Sequence, residues 1–144
     1  MTLDLQMQIF GQVLLTAFLS AMIGLDRERR DKSAGLRTHM LAGIGACAFA
    51  AIGLHAFPDN ADSSRVAAAV ASGIGFLGAG VIFQGKDRVR DLTTAASIWV
   101  TASVGVVVGT GAWFLGVAMT VSIWITLAIL HRFGKRIPAN QGKS

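Results

Sequence analysis

Residues 24–39 read GLDRERRDKSAGLRTH and lie between two long apolar stretches. This segment holds five of the chain's 13 Lys and Arg residues and three of its eight Asp and Glu residues. An ionised side chain in the hydrocarbon core of a bilayer costs about 2.5–3.5 kcal/mol or more on insertion scales. The segment therefore predicts the end of one membrane crossing and the start of the next.

The composition is that of a small membrane protein. Of the 144 residues, 53% are hydrophobic and only 15% are charged, which is too apolar for a soluble domain. The net charge of +5 comes from basic residues at the ends of apolar stretches, so we expect contact with a lipid surface and no nucleic acid. The single cysteine, Cys47, lies in an apolar stretch and predicts a buried, inert thiol.

Five apolar stretches are long enough to cross a bilayer about 30 Å thick. We expect an all-α bundle of five transmembrane helices that forms one domain over residues 1–144. The predicted helices cover about 7–25, 39–57, 66–84, 93–109 and 113–130, and a polar tail covers 131–144. Residues 1–6 contain no basic residue, so the first stretch predicts a retained helix and not a cleaved signal.

The basic residues predict the orientation of the bundle. With five helices, 12 of the 13 Lys and Arg residues lie on one side of the membrane, in segments 26–38, 86–91 and 132–144. Only Arg65 lies on the other side. Because cytoplasmic loops carry the excess of Lys and Arg, we expect the N-terminus outside and the C-terminus in the cytoplasm.

Small residues repeat at four-residue spacing along four of the predicted helices. Residues four apart share a helix face, and small faces let membrane helices approach closely. The repeats therefore predict a core of four helices, with the fifth helix at its edge. The repeats are Thr16, Ser20 and Gly24; Ala42, Ala46 and Ala50; Ala71, Gly75 and Ala79; and Ser97, Thr101, Gly105 and Gly109.

The glycines of residues 73–80 have two interpretations. Gly73, Gly75, Gly78 and Gly80 could pack closely against neighbouring helices, or they could break the helix at mid-membrane and bind an ion through free carbonyl groups. We favour packing, because a glycine costs only about 1 kcal/mol in a helix. A phosphate-binding loop is not expected, since no strand precedes these glycines.

The charged segment predicts a first helix that continues beyond the membrane with opposite charges four residues apart. The expected pairs are Asp26 with Arg30, Arg27 with Asp31, and Glu28 with Lys32. Asp26 lies at the membrane edge and could instead point back into the bundle, towards Arg27, Arg37 or His39.

Threonines near the starts of the second and fourth helices predict N-caps, at Thr38 and at Thr93 or Thr94. Two helix N-termini beside Arg37, Arg88 and Arg90 would attract an anion such as a lipid phosphate or a carboxylate.

The residues give little support to a metal site or to catalysis. Mg²⁺ prefers oxygen ligands, but Asp26 and Glu28 lie about 200° apart on a helix and have basic neighbours. His39 could titrate near neutral pH, or cap or pack a helix. An enzyme is not expected, because no Ser/His/Asp or Cys/His set is evident; one acting on lipid headgroups through His39 would lack a second catalytic group.

Several motifs together resemble the MgtC/SapB family of bacterial inner-membrane proteins. They occur in order and cover most of the apolar part of the chain. The motifs are GLDRE at 24–28, AGLRTH at 34–39, RV at 65–66, SGIGFLGAGVI at 72–82, and LTTAASIW at 92–99 with Gly105. This resemblance implies a role in growth under magnesium limitation and, in pathogens, in survival inside macrophages.

The resemblance also implies a mode of action and a set of functional residues. Some members act as regulators that restrain the F-type ATP synthase or affect other membrane transporters, whereas direct magnesium transport by the family is doubtful. The implied residues are Asp26, Arg27, Glu28, Arg37, Thr38, Arg65, Thr93 and Thr94.

The chain departs from the family pattern in two places. Asp91 stands where the family usually has glycine. Many members also carry a soluble domain after the fifth helix, where this sequence has only the polar tail. The resemblance is therefore closer to the short, SapB-like members.

Our first hypothesis is a regulatory protein in the lipid bilayer, forming a homodimer through its small-residue faces. Its polar cluster would engage an ion, such as Mg²⁺, or a membrane-protein partner, such as ATP synthase. The alternative is a transporter or channel for Mg²⁺ or another cation, which needs a polar route across the membrane. If Arg65 lies outside, it shares a site with the cytoplasmic residues only when a helix is strongly tilted or broken.

Overall fold

The computed structural model describes residues 1–56, 63–82 and 91–134, which form an all-helical bundle. The helices are α1 (Leu3–Glu28), α2 (Leu36–His55), α3 (Ser63–Ile82), α4 (Leu92–Gly109) and α5 (Trp113–Gly134). The first four are long and apolar enough to cross a membrane, and α5 contains a shorter apolar stretch, Trp113–Ile129. The predicted all-α bundle of five helices is confirmed.

Local signals explain the helix ends. The side chain of Thr2 accepts a hydrogen bond from the Leu5 N–H at 3.4 Å, so α1 begins four residues before the predicted start at residue 7. A tight turn at residues 110–112 joins α4 to α5. There Gly111 has a φ of +90°, a conformation that favours glycine. The predicted ends of α2 at 57 and α3 at 84, and the tail beyond 134, lie outside the described residues.

The core is built around α4. This helix packs against each of the other four, whereas α3 touches only α2 and α4, and α5 touches only α1 and α4, within the described residues. In the most apolar stretch of α4, 56% of the residues are buried, compared with 11% in α3. The prediction of a four-helix core is therefore wrong, because α1, α2 and α4 form the core and α3 lies against it.

The backbones of α2 and α4 approach closely at two glycines of α4. A Cβ atom added to Gly105 would overlap the carbonyl oxygen of Gly43, and one added to Gly109 would lie 2.5 Å from the carbonyl oxygen of Cys47. Cys47 itself is fully buried, as predicted. Glycines on α4 thus allow the tight packing of these two helices.

The glycines of α3 have different surroundings. Gly78 faces Ala95 of α4, whose Cβ would lie 3.5 Å from an added Cβ. Added Cβ atoms at Gly73, Gly75 and Gly80 would meet nothing within 4 Å. The helix continues without interruption from Ser63 to Ile82, so the alternative of a broken, ion-binding helix is wrong.

Candidate functional site

The polar end of the bundle is where α1 ends and where α2 and α4 begin. Asp26 and Arg30 form the predicted ion pair, with 2.8 Å between Asp26 Oδ1 and an Arg30 nitrogen. The other two predicted pairs are not found among the described residues. The reason is that α1 ends at Glu28 and the chain then turns, with Asp31 at a φ of +50°. Residues four apart beyond that point no longer share a helix face.

The carboxylate of Glu28 caps the start of α2. Its Oε2 accepts a hydrogen bond from the Leu36 N–H at 2.7 Å. The N-cap residue of α2 is Gly35, which has no side chain to do this itself, and a Cβ there would lie 2.8 Å from Glu28 Oε2. The predicted caps are therefore wrong. Thr38 is exposed in the first turn of α2, and Asp91, not Thr93 or Thr94, is the N-cap residue of α4.

Replacing Glu28 with alanine is expected to destabilise the protein by about 1 kcal/mol, the usual cost of losing a side-chain cap. The Leu36 N–H would lose its acceptor, and the turn would lose a link between α1 and α2. Thermal unfolding of the purified protein in detergent would measure the loss. Glu28→Gln is the matched control, because an amide oxygen can still accept the bond; equal destabilisation by both changes would contradict the capping role.

Arg27 is buried at the polar end and joins α1 to α4. Only 3% of the residue is exposed. One terminal guanidinium nitrogen donates to the Thr94 hydroxyl at 3.4 Å, and that hydroxyl donates to Asp91 Oδ1 at 3.3 Å. The Nε atom of Arg27 and the Oδ2 atom of Asp26 are buried with no hydrogen-bond partner in the described part of the chain. Polar groups buried in this way are costly, and in membrane proteins they mark functional sites.

His39 joins α2 to α4 next to this network. The residue is fully buried, with Nδ1 2.8 Å from the Gly35 carbonyl oxygen and Nε2 3.0 Å from the Ser97 hydroxyl oxygen. The Ser97 hydroxyl oxygen also lies 2.7 Å from the Thr94 carbonyl oxygen. A carbonyl can only accept, so Nδ1–H donates to Gly35. A neutral ring then accepts from Ser97 at Nε2, whereas a protonated ring donates to Ser97, which donates to Thr94.

A cavity, here called the polar pocket, lies beside this network at the start of α4. Its volume is about 280 Å³. It brings together the predicted residues Arg27, Thr93 and Thr94. The full lining is Arg27, Lys32, Asp91, Thr93, Thr94, Thr126 and Leu127. Sequence reasoning did not include Lys32 or Thr126 in a site. Lys32 was paired with Glu28 because of their four-residue spacing, so its position in the pocket was not predicted. No local signal in the sequence places Thr126 near α4.

The other predicted residues lie elsewhere. Arg37 and Thr38 are exposed and line a groove of about 900 Å³ between α2 and α3, together with Arg65. Arg37 lies on the opposite side of α2 from His39, because residues two apart on a helix are separated by about 200° around its axis. The structure therefore divides the predicted cluster between the polar pocket and this groove. Arg88 and Arg90, which the anion-site prediction included, are outside the described residues.

The polar pocket is richer in hydrogen-bond donors than in metal ligands. Within residues 1–56, 63–82 and 91–134, no group of three or more His, Cys, Asp or Glu side chains is placed to hold a metal ion. Asp26 is paired with Arg30, and Asp91 shares the pocket with Arg27 and Lys32. Guanidinium, ammonium and hydroxyl groups together favour an anion.

Comparisons with known proteins agree with these features. The MgtC family model matches residues 13–136. The chain is 39% identical over 133 residues to the "Putative magnesium transporter YhiD" of Escherichia coli K12, covering 88% of this chain and 62% of that protein. It is 40% identical over 134 residues to protein SrpB of Synechococcus elongatus, covering 84% and 74%.

A third relative is protein MgtC of Salmonella typhimurium, 40% identical over 125 residues, covering 87% of this chain and 53% of that protein. The chain thus spans less than two thirds of the length of YhiD and of MgtC. No solved structure matches it. The family match covers nearly all of the helical bundle, and we conclude that the chain belongs to the MgtC family.

Proposed function

We propose that this protein acts in magnesium homeostasis at the bacterial inner membrane, as a regulator of other membrane proteins and not as an enzyme. Family membership and the name of YhiD support the link to magnesium. The distribution of Lys and Arg supports an external N-terminus and a cytoplasmic location for the polar end. The membrane proteins that we propose it regulates include ATP synthase and transporters.

The observation that carries a regulatory role is the uncovered face of α3. Gly73, Phe76 and Gly80 follow one another at three- and four-residue spacing and so share a face. That face lies opposite Gly78, which packs on α4. Added Cβ atoms at Gly73 and Gly80 would meet nothing within 4 Å, and Phe76 is 80% exposed. Small residues on a spanning helix allow another helix to pack closely there.

The first partner we propose for this face is a second copy of the chain, giving a homodimer. Within one copy, small residues of α1, α2 and α4 are used in the core, while α3 leaves this face open. A helix of a regulated membrane protein would use the same kind of contact. In this proposal, the uncovered face of α3 serves both for self-association and for binding to a regulated membrane protein.

Gly73→Leu and Gly80→Leu should each abolish complementation of low-magnesium growth in a strain that lacks its own family member. Neither should change the amount of protein in the membrane, because the Cβ of the added side chain meets no described atom of its own bundle within 4 Å. Chemical cross-linking in membranes should show loss of the dimer. Gly11→Leu is the matched control, since Gly11 is also exposed on its helix with nothing within 4 Å. Normal growth with both α3 variants would overturn the proposal.

A second candidate function is cation transport, which one feature of α1 favours. Buried polar atoms with no hydrogen-bond partner among residues 1–56, 63–82 and 91–134 occur along one face at Gln12, Ser20 and Arg27, and Thr16, which neighbours Cys47, lies on the same face. These residues extend over about 22 Å at 1.5 Å per residue. However, Gly43 of α2 fits directly against Ser20 and Thr16, which closes this face. Magnesium uptake by liposomes containing the wild-type protein, lost in Ser20→Val, would favour transport over regulation.

A further inference from the structure

A second cavity, here called the α4–α5 groove, lies next to the polar pocket between α4 and α5. The groove has a volume of about 640 Å³ and shares Thr93, Thr126 and Leu127 with the polar pocket. Apolar side chains such as Val100 and Ile123 line the rest of it. A charged pocket thus adjoins a largely apolar groove between two helices. A ligand that fits both parts is amphipathic.

The charges of the polar pocket define the polar part of that ligand. Arg27 and Lys32 bring two positive charges and Asp91 one negative charge, so the three together leave one positive charge. A group with a single negative charge would balance them. The Thr93 hydroxyl and the first-turn N–H groups of α4 add neutral donors around the same space, while the Thr94 and Thr126 hydroxyls donate to Asp91 and to the Ser122 carbonyl. A phosphodiester has one negative charge and several acceptor oxygens, as this set of donors requires.

Arg27 is the independent sign that the pocket holds a ligand. The residue is 97% buried and lines the pocket, yet its Nε–H has no acceptor among the described residues. Its link to Asp91 runs through the Thr94 hydroxyl and not through a direct ion pair. A buried donor on a charged group that finds no acceptor costs about 1–3 kcal/mol or more. A phosphodiester in the pocket would supply the negative charge that Arg27 does not meet in a direct ion pair among the described residues.

We propose that the polar pocket and the α4–α5 groove together bind a phospholipid. The phosphodiester lies among Arg27, Lys32 and the Thr93 hydroxyl, and one acyl chain lies in the groove. The sequence predicted an anion beside Arg37, but Arg37 lines the groove between α2 and α3 instead. The physiological meaning of this site rests on the proposed function. Lipid binding itself is measured on the purified protein, so its outcome does not depend on the growth phenotype of the variants.

Native mass spectrometry of the detergent-purified protein would test the headgroup. Phosphatidylglycerol should bind, while diacylglycerol with the same chains should bind at least about tenfold more weakly, since it lacks the charge-assisted hydrogen bonds. Lys32→Gln should weaken phosphatidylglycerol binding about tenfold. Arg29→Gln is the control, because Arg29 is an exposed cation three residues away that does not line the pocket. Equal binding of the two lipids, or equal effects of the two variants, would overturn the proposal.

The acyl chain is tested separately. Ala96 is exposed in the α4–α5 groove, so Ala96→Phe should fill it and weaken phosphatidylglycerol binding while the thermal unfolding temperature stays unchanged. Ala118→Phe, at an exposed site on α5 outside both cavities, should bind as the wild type does. Glycerophosphoglycerol, which has the headgroup but no chains, should bind much more weakly than the lipid. Equal binding of that compound would show a free-phosphate site and overturn the phospholipid assignment.

Discussion

Gly105→Ala is expected to destabilise the folded protein strongly and to lower its yield. The added Cβ would overlap the Gly43 carbonyl oxygen and lie 3.1 Å from both the Ala46 Cβ and the Cys47 backbone nitrogen. Two of these atoms belong to the backbone of α2, which has no alternative rotamer, so the two helices must separate. Overpacking of a core costs about 1–3 kcal/mol and sometimes more, against a total stability of roughly 5–15 kcal/mol. The yield of monodisperse protein in detergent and its thermal unfolding would measure the effect.

The control for this change is Gly11→Ala. Gly11 is also a helical glycine, but an added Cβ there meets nothing within 4 Å. Because alanine favours a helix over glycine by up to about 1 kcal/mol, this variant should be as stable as the wild type or slightly more so. If Gly105→Ala and Gly11→Ala have the same stability, α2 and α4 are not in backbone contact, and the description of the core is wrong.

His39→Ala is expected to cause the second large loss, of about 2–5 kcal/mol, as for other large-to-small changes in a core. The imidazole is fully buried, so its removal leaves a cavity at the junction of α2 and α4. It also removes one of the two donors to the Gly35 carbonyl, whose backbone donor from residue 39 remains, and it removes a partner of Ser97. The thermal unfolding temperature in detergent should fall by several degrees.

His55→Ala is the matched control for His39→Ala. His55 is the last residue of the same helix and is only partly buried. A surface substitution of this kind usually changes stability by no more than about 0.5 kcal/mol. Similar unfolding temperatures for the two alanine variants would contradict the role of His39 as a link between helices.

The number of helices could be predicted because ionised groups avoid the hydrocarbon core, and that constraint acts on each segment separately. The ion pair between Asp26 and Arg30 could be predicted for a similar reason, because Arg30 lies about one helical turn after Asp26 in the chain. Where a contact depends on the local sequence alone, the pattern of residues was sufficient.

The division of the site could not be predicted from local patterns. Arg27 and Glu28 were paired with Asp31 and Lys32 on a continuing helix, whereas α1 stops at Glu28 and frees both side chains for α4 and α2. Helical geometry alone could have separated Arg37 from His39, since two residues turn the helix by about 200°.

The uncovered face of α3 and the position of Thr126 depend on how helices distant in the chain pack around α4. The small-residue repeat of α3 resembles those of the core helices, and nothing in it reveals that Gly75 meets no neighbouring helix in the part of the chain that the structure describes. Thr126 reaches the polar pocket only because α5 lies against α4. Such tertiary information is not contained in the spacing of residues along one segment.

The central place of α4 has a consequence for biosynthesis. The ribosome completes this helix only at Gly109, after α1 and α2 have already entered the bilayer. Until then Arg27 and His39 have neither Thr94 nor Ser97 as a partner. We expect the nascent chain to need an insertase that shields these groups, and a chain truncated before α4 to be removed by membrane proteases.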